Sequence, residues 1–348
     1  MSVKTIAFVY NVRHKYPDPN DARAQIEADF DDPETIEWMI KHLENIGFDV
    51  IPIEADENAY EKLKANKEKI DLVFNYSMGI YGKDRYSHLP AMLEMLQLPY
   101  TGPSPLSQGL VLNKAKAREI FISRKIPTPL SQVFYSPNDK LDKKLKFPLI
   151  VKPCCRGSSA GVTNDSVVYD EESLKRKVKF IIETFEEPAL VQTFLKGREF
   201  SVPMIGNPPE FLPIIEVDHS ILPEGYAPID SLEVKWIMEE KDKDFAKKHF
   251  SCPANIEKKL EKKIKEVCLK VWEALELADI CRIDIRCDGK NNPYVLDVNS
   301  PPGLIPPEVS MTSYFPLAAR VAGIDYESLL KRIIEEAQKR YQNLKKTI

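Results

Sequence analysis

The chain has 348 residues, 29% of them charged, and a formal net charge of −4. That length allows two or three lobes with a cleft between them, and the acidic balance lacks the basic footprint of a nucleic-acid binder. No apolar run approaches a membrane span, and the lysine-rich stretches at 140–146 and 258–265 read as solvated faces. The six cysteines include no Cys-x-x-Cys pair, and the five histidines make no ligand spacing with them, so reduced cysteines and no zinc site are expected.

Residues 6–12 are a strand candidate followed by charged residues without a small-residue cleavage site, so no signal peptide and a cytoplasmic protein are expected. Asp32-Pro33-Glu34 marks a helix start whose apolar face is Ile36, Met39, Ile40 and Leu43, with Gly47 as its stop. Strands at 48–53 and 72–74, with a charged helix at 57–67 between them, complete a βαβ pattern and predict a parallel sheet covered by helices. The connection at 15–30 departs from that pattern, being long, polar and acidic at Asp18, Asp21, Glu27 and Asp29. A connection of that length is usually functional or mobile. Helices follow at 91–96 and 106–125, and Pro127 and Pro129 mark a boundary. Beyond it come a strand at 147–153, an amphipathic helix at 171–184 and strands at 190–195 and 199–205. A long helix at 256–277 and a closing one at 327–341 complete the elements.

Two apolar, alternating segments carry the most chemistry, Arg282-Ile-Asp284-Ile-Arg286 and Leu296-Asp297-Val-Asn299-Ser300. Side chains two apart on a strand share a face, so pairing would gather Asp284, Asp297 and Asn299 beside Arg282. Such an all-oxygen set suits Mg²⁺ shared with nucleotide phosphates, while two edge strands with solvated carboxylates are the competing reading. Lys152 ends a strand and leads into Arg156-Gly157-Ser158-Ser159-Ala160-Gly161, a turn whose backbone N–H groups and hydroxyls suit phosphate oxygens. It is not a Walker A loop, and a plain surface turn is the alternative. The apolar strand end at 191–195, followed by Glu199, offers an edge for adenine and a carboxylate for ribose.

In chain order, Lys114, Val-Lys152-Pro, Gly-Ser-Ser-x-Gly161, Glu199, Lys235, Cys252-Pro-Ala254, Arg282-Ile-Asp284 and Asp297-x-Asn299-x-x-Pro-Gly303 resemble the ATP-grasp superfamily, and within it the D-alanine–D-alanine ligase branch. Phe74-Asn75, Leu98-Pro-Tyr-Thr-Gly102 and Pro316-Leu-Ala-Ala-Arg320 extend the likeness. The resemblance implies an α/β ATP-grasp fold, with an N-terminal parallel α/β domain at 1–107, a central lobe at 108–195 and a C-terminal lobe at 196–348. It implies ATP and two Mg²⁺ ions, with Mn²⁺ as a substitute, and small carboxylate and amine substrates. A homodimer with no nucleic-acid or membrane partner is also implied. By the same resemblance Lys114 and Lys152 hold the α- and β-phosphates, and the turn with Ser158 and Ser159 covers the β/γ region, Ser158 close to the reacting groups. Gln192 and the backbone of Thr193 and Leu195 meet adenine beside Phe194, Glu199 binds ribose and Lys235 reaches the phosphates. Asp284, Asp297 and Asn299 hold metal, while Arg282 and the Gly303 N–H stabilise an oxyanion. The implied chemistry phosphorylates a carboxylate and lets an amine displace phosphate, with no side-chain nucleophile.

Five departures from the family pattern surround the amino-acid pockets. The N-terminal glutamate loop is absent, and Tyr10-Asn-Val-Arg-His14 stands in its place. Met78 replaces a histidine, Trp236 a tyrosine and Arg156 a glutamate, and 304–312 is lengthened before Ser313, the match for a carboxylate-binding serine. ATP activation is therefore expected to persist with altered substrate choice, so that D-alanine alone supports little ADP release. Asp18, Asp21, Glu27 and Asp29 are candidates for a new ammonium site. Genuine D-alanine–D-alanine ligation, a non-catalytic nucleotide binder and transfer of phosphate to a stable acceptor are the alternatives.

Overall fold

The computed structural model describes residues 3–347, apart from the side chains at 22, 23, 240 and 344–347. Its strands form three sheets, each drawn from a different stretch of chain. The first is parallel in the order β2-β1-β3, from β1 (Thr5–Tyr10), β2 (Asp49–Glu54) and β3 (Leu72–Tyr76). Its crossovers are α1 (Pro33–Asn45) and α2 (Ala59–Asn66), the βαβ units that the apolar periodicity predicts. Asp32 stands at the start of α1 but caps nothing there, because Arg13 takes its carboxylate. After α3 (His88–Leu96), the single helix expected at 106–125 is two, α4 (Pro105–Leu112) and α5 (Lys114–Ser123). The break arises because the Asn113 side chain accepts from Lys116 N, capping a fresh helix that opens on Lys114.

The second sheet is antiparallel in the order β4-β7-β5-β6, from β4 (Ser131–Phe134), β5 (Leu149–Pro153), β6 (Val167–Val168) and β7 (Ala189–Thr193). Helix α6 (Glu171–Phe185), capped by the reciprocal Asp170–Ser173 pair, packs Leu174, Val178 and Ile181 against Leu149, Val151 and Val191. The third sheet runs β11-β10-β8-β12-β13, from β8 (Glu199–Ile205), β10 (Ile215–Val217), β11 (Phe250–Ser251), β12 (Ile280–Cys287) and β13 (Pro293–Asn299), with β9 (Glu210–Phe211) beside β8. Between β10 and β11 the chain passes through a π-helical turn at Val234–Met238 and two short helices, α7 (Glu239–Lys241) and α8 (Lys243–His249). Helix α9 (Lys258–Ala274) buries Leu260, Ile264, Val267 and Val271 in one core with Phe200, Val202 and Ile283. After α10 (Tyr314–Val321), helix α11 (Tyr326–Thr347) returns to the first sheet, where Leu329, Leu330, Ile333 and Ile334 share a core with Ile6, Phe8 and Leu72.

The 15–30 connection is folded onto the second sheet rather than projecting from the first. Ala24, Gln25, Ala28 and Asp29 are buried, and Ala28 belongs to the core of β5 and β7. Among the described residues, no helix is long and apolar enough to cross a membrane.

Candidate active site

Strands β12 and β13 pair antiparallel with Asp284 opposite Asp297 and Arg282 opposite Asn299, so all four side chains share one face. Arg282 forks onto Asp284 through Nε and Nη2, each at 3.1 Å, while Ser201 Oγ donates to the same carboxylate at 2.7 Å and Asn299 Nδ2 at 2.8 Å. Asp297 meets cations from two other elements, Lys152 of β5 at 3.0 Å and Lys114 of α5 at 3.1 Å. The second and third sheets therefore face each other across this charge cluster. Burial alone would raise the Asp297 carboxyl, but Lys114 and Lys152 outweigh it and hold it well below the usual carboxylate range. Burial pulls Lys152 down to about 8 against the opposing pull of Asp297.

The residues matched to nucleotide, metal and substrate roles all line a single cleft of about 670 Å³. Lys114 also donates to the Arg156 carbonyl at 2.7 Å, which ties the Arg156–Gly161 turn to the cluster. That turn places Ser158 and Ser159 at φ +48° and +60°, two consecutive left-handed residues. It is held from the opposite wall: Ser159 Oγ donates to the Asp230 carbonyl at 2.7 Å, and Trp236 Nε1 donates to the Ser158 carbonyl at 3.2 Å. Trp236 and Lys235 sit on the π-helical turn, a backbone form often found at functional sites. Lys235 reaches Asp230 at 3.3 Å, and Tyr314 donates to the same carboxylate at 3.3 Å.

Glu199 is gripped by Arg286 at 2.6 Å and His219 at 2.9 Å. Burial would raise its carboxyl, yet Arg286 and His219 prevail and bring it down to about 2. The Arg286 guanidinium lies 5.2 Å from the Phe194 ring centroid. Gln192 accepts from Arg118 at 3.2 Å and keeps a buried Nε2 without a partner. The Thr193 N–H donates to the Leu130 carbonyl at 2.9 Å, so it is not a free donor for a base.

Around the predicted amino-acid pockets, Met78 is buried on the cleft wall with its N–H bonded to Asn11 Oδ1 at 2.8 Å. Ser313 precedes α10 without capping it, and Gly303 and the 304–312 segment line the cleft. The reversed charge at Arg156 is answered by Glu187 at 3.6 Å. The four acidic residues of the 15–30 connection all have partners within the chain. Asp29 is bound by Arg85 at 2.5 Å and Tyr86 at 2.9 Å, and Asp21 is bound by Lys15 at 2.6 Å. Glu27 accepts from the backbone of His14 and Lys15, and Asp18 from that of Asn20. Their charge is used to fold the loop. Arg118, His219, Asp230, Arg286 and Tyr314 escape the motif reading, although Arg286 continues the Arg282–Asp284 face and Arg118 follows Lys114 by one helical turn.

Among the described residues, no group of three or more His, Cys, Asp or Glu side chains could hold a metal. The candidate set is smaller, two carboxylates and an amide. It fits a hard cation that takes its remaining oxygens from phosphates and water, as Mg²⁺ does with nucleotides.

Residues 130–335 match the family model described as D-ala D-ala ligase C-terminus. The D-alanine–D-alanine ligase of Carboxydothermus hydrogenoformans is 31% identical over 83% of this chain and 87% of its own length. That of Aquifex aeolicus is 30% identical over 85% and 92% respectively. An uncharacterised protein of Sinorhizobium fredii, y4sG, is 35% identical over 78% of this chain and 75% of its own length. In three dimensions the D-alanine–D-alanine ligase of Bacillus anthracis, solved with ATP, superposes with a TM-score of 0.71 over 98% of this chain and 99% of that one, at 23% identity. The chain belongs to the D-alanine–D-alanine ligase family of the ATP-grasp fold, and it is an ATP-dependent ligase that joins a carboxylate to an amine.

Proposed function

We propose that the cleft uses ATP to phosphorylate the carboxylate of an amino acid or small peptide-like substrate and then joins the acyl phosphate to the amine of a second. The observation that carries this reading is the meeting of Lys114 and Lys152 with Asp297, on the same strand-pair face as Asp284 and Arg282. Cations for phosphates and a guanidinium for developing negative charge then stand within one cleft. Lys114 and Lys152 neutralise the α- and β-phosphates, and the Arg156–Gly161 turn covers the γ-phosphate, as Trp236 and Asp230 already hold it down. Gln192, Phe194, Leu195 and the Thr193 carbonyl frame adenine, Glu199 takes the ribose hydroxyls, and Lys235 approaches the transferring phosphate. Arg282 and the Gly303 N–H face the acyl oxygen that becomes an oxyanion when the amine attacks. Asp284, Asp297 and Asn299 would hold Mg²⁺, Mn²⁺ being its substitute, and that charge would offset the phosphate oxygens during transfer. Met78, Trp236 and Ser313 shape the two substrate sites. The lobes are taken as 1–107, 108–195 and 196–348, in a cytoplasmic homodimer.

A matrix of amino acids and dipeptides with ATP and Mg²⁺, scored for phosphate release and product mass, tests this directly. Amide product with stoichiometric ADP supports ligation, and a phosphorylated final product overturns it. Relatives at 31% identity are named D-alanine–D-alanine ligases, which favours that narrower activity as the second reading. The replacements at Met78, Trp236 and 304–312 weigh against it, so little ADP release is expected from D-alanine alone. Asp297→Asn separates enzyme from simple binder, because turnover should vanish while the wild-type chain shows it.

A further inference from the structure

One part of the cleft wall carries none of the residues matched to ATP. It comes from the segment 13–32 and includes Arg13, Asp29, Asp31 and Asp32. Three carboxylates meet two guanidiniums here. Asp29 belongs to Arg85 and Tyr86. Asp32 takes the Arg13 fork, Nε at 3.0 Å and Nη2 at 2.7 Å. At Asp31 burial pushes the carboxyl up to about 6, with Arg13 and the nearby Tyr76 hydroxyl only partly countering that. Of the three carboxylates, Asp31 is the one that lines the cleft without a guanidinium forked onto it. The Tyr76 hydroxyl near Asp31 accepts from the Leu304 N–H at 2.9 Å, one residue after Gly303.

Arg13 supplies a second, independent observation. Its side chain is 5% exposed and flanked by the Trp236 and Tyr16 rings at 4.5 and 5.3 Å, and its Nη1 has no hydrogen-bond partner. A buried guanidinium N–H left unpaired on a cleft wall costs free energy that a ligand oxygen would recover. An acceptor from the substrate suits Nη1, and a donor suits Asp31.

We propose that Arg13 and Asp31 select the amino acid whose carboxylate is activated, Asp31 holding its α-ammonium and Arg13 Nη1 a side-chain oxygen. This rests on the ligase reading above. The donor substrate is then an α-amino acid with an oxygen-bearing side chain of the aspartate, asparagine, glutamate or glutamine type. Alanine can satisfy Asp31 but leaves Arg13 unpaired, and a site built for a polar contact rejects the analogue that lacks it.

The test measures ADP release by the full chain with MgATP. The probes are alanine, aspartate, asparagine, glutamate and glutamine of both hands, singly and in pairs, with N-acetylated counterparts. At least one oxygen-bearing amino acid should exceed alanine of the same hand by about tenfold or more in kcat/KM, and its N-acetyl form should be inert. Asp31→Asn should raise KM for that amino acid by about tenfold or more while KM for ATP moves less than about threefold. Arg13→Lys should shrink the preference over alanine, since lysine lacks the fork that serves Asp32 and the substrate together. Alanine used as well as the others, an active N-acetyl donor, or Asp31→Asn with unaltered KM overturns the proposal and leaves the ligase reading standing. ADP release with no pair at all overturns both.

Discussion

Arg282 pairs with Asp284 in the cleft, and in the proposed reaction it would also face the site of amine attack. Its guanidinium also lies 5.0 Å from the Tyr314 ring centroid, which fixes the plane of the fork. Arg282→Ala should lower kcat by roughly 100- to 1000-fold, the usual loss on removing an oxyanion donor. Arg282→Lys should recover only part of it, because an ammonium cannot span both Asp284 oxygens. Steady-state kinetics on both variants decide this, and near-normal turnover in Arg282→Ala would remove the assignment. Glu199 makes a second prediction, on stability. Its carboxyl titrates at about 2 in the folded chain, below the ordinary 4.5, so its stabilisation is full above about pH 4.5 and is lost as pH falls towards 2. That shift corresponds to ~3 kcal/mol at most. Glu199→Gln should be less stable than wild type at pH 7, with the gap closing between pH 4.5 and 2.5. A constant gap in denaturation midpoints across that range would refute the linkage.

At the scale of elements, the 15–30 connection works as a strap between the first and second sheets. Gln25 accepts from the buried Gly161 N–H at 3.0 Å, and Arg85 donates to the Cys155 carbonyl at 3.0 Å, so both ends of the Arg156–Gly161 turn are latched by the N-terminal part. Gly161 itself sits at φ +74°, and an added Cβ would meet Pro153 at 2.6 Å, so the turn has little freedom to accommodate substitution there. Gln25→Ala leaves the Gly161 N–H unpaired, a cost of about 1–3 kcal/mol. Faster hydrogen exchange at 157–161 and a higher KM for ATP are expected, and unchanged exchange would show that the latch is incidental. None of this strap was legible from local pattern, because its bonds join residues 136 and 56 positions apart and its acidic composition resembles a solvated loop. The shared face of β12 and β13 was legible, because alternation with period two places Arg282, Asp284, Asp297 and Asn299 together without knowledge of the partner sheet. The α4–α5 break was not, since apolar periodicity continues through Asn113 and only its side-chain cap ends the first helix. Which cation answers which carboxylate depends on how the sheets meet, and so Arg286, His219 and Asp31 emerge only in three dimensions.

At the scale of the molecule, α11 binds the two ends of the chain together. Its apolar face completes the first sheet's core, and its Arg340 reaches the fully buried Asp279 at the entrance to β12, with the contact at 2.8 Å. Asp279 also accepts from Gly102 N at 2.8 Å and from Asn207 Nδ2 at 2.7 Å, while Arg340 donates to the Tyr100 and Gly102 carbonyls. One carboxylate thus joins the segment after the first sheet, the turn after β8 and the C-terminal helix. The Leu304 N–H, one residue past Gly303, separately meets the Tyr76 hydroxyl at the end of the first sheet. Removing one partner of a buried pair leaves an uncompensated charge, at a cost of roughly 3–5 kcal/mol. Arg340→Ala should therefore lower stability by about that amount, a large part of a typical domain's total. In the double variant Arg340→Ala/Asp279→Asn the charge itself is gone, while the introduced amide keeps one oxygen and so can accept from only one of Gly102 N and Asn207 Nδ2, which bond different oxygens of Asp279, so stability should recover only part of the way. Chemical denaturation of both variants measures the coupling. A double variant no more stable than Arg340→Ala would show that Asp279 acts through its hydrogen bonds alone, and that charge pairing is not what holds the three parts in register.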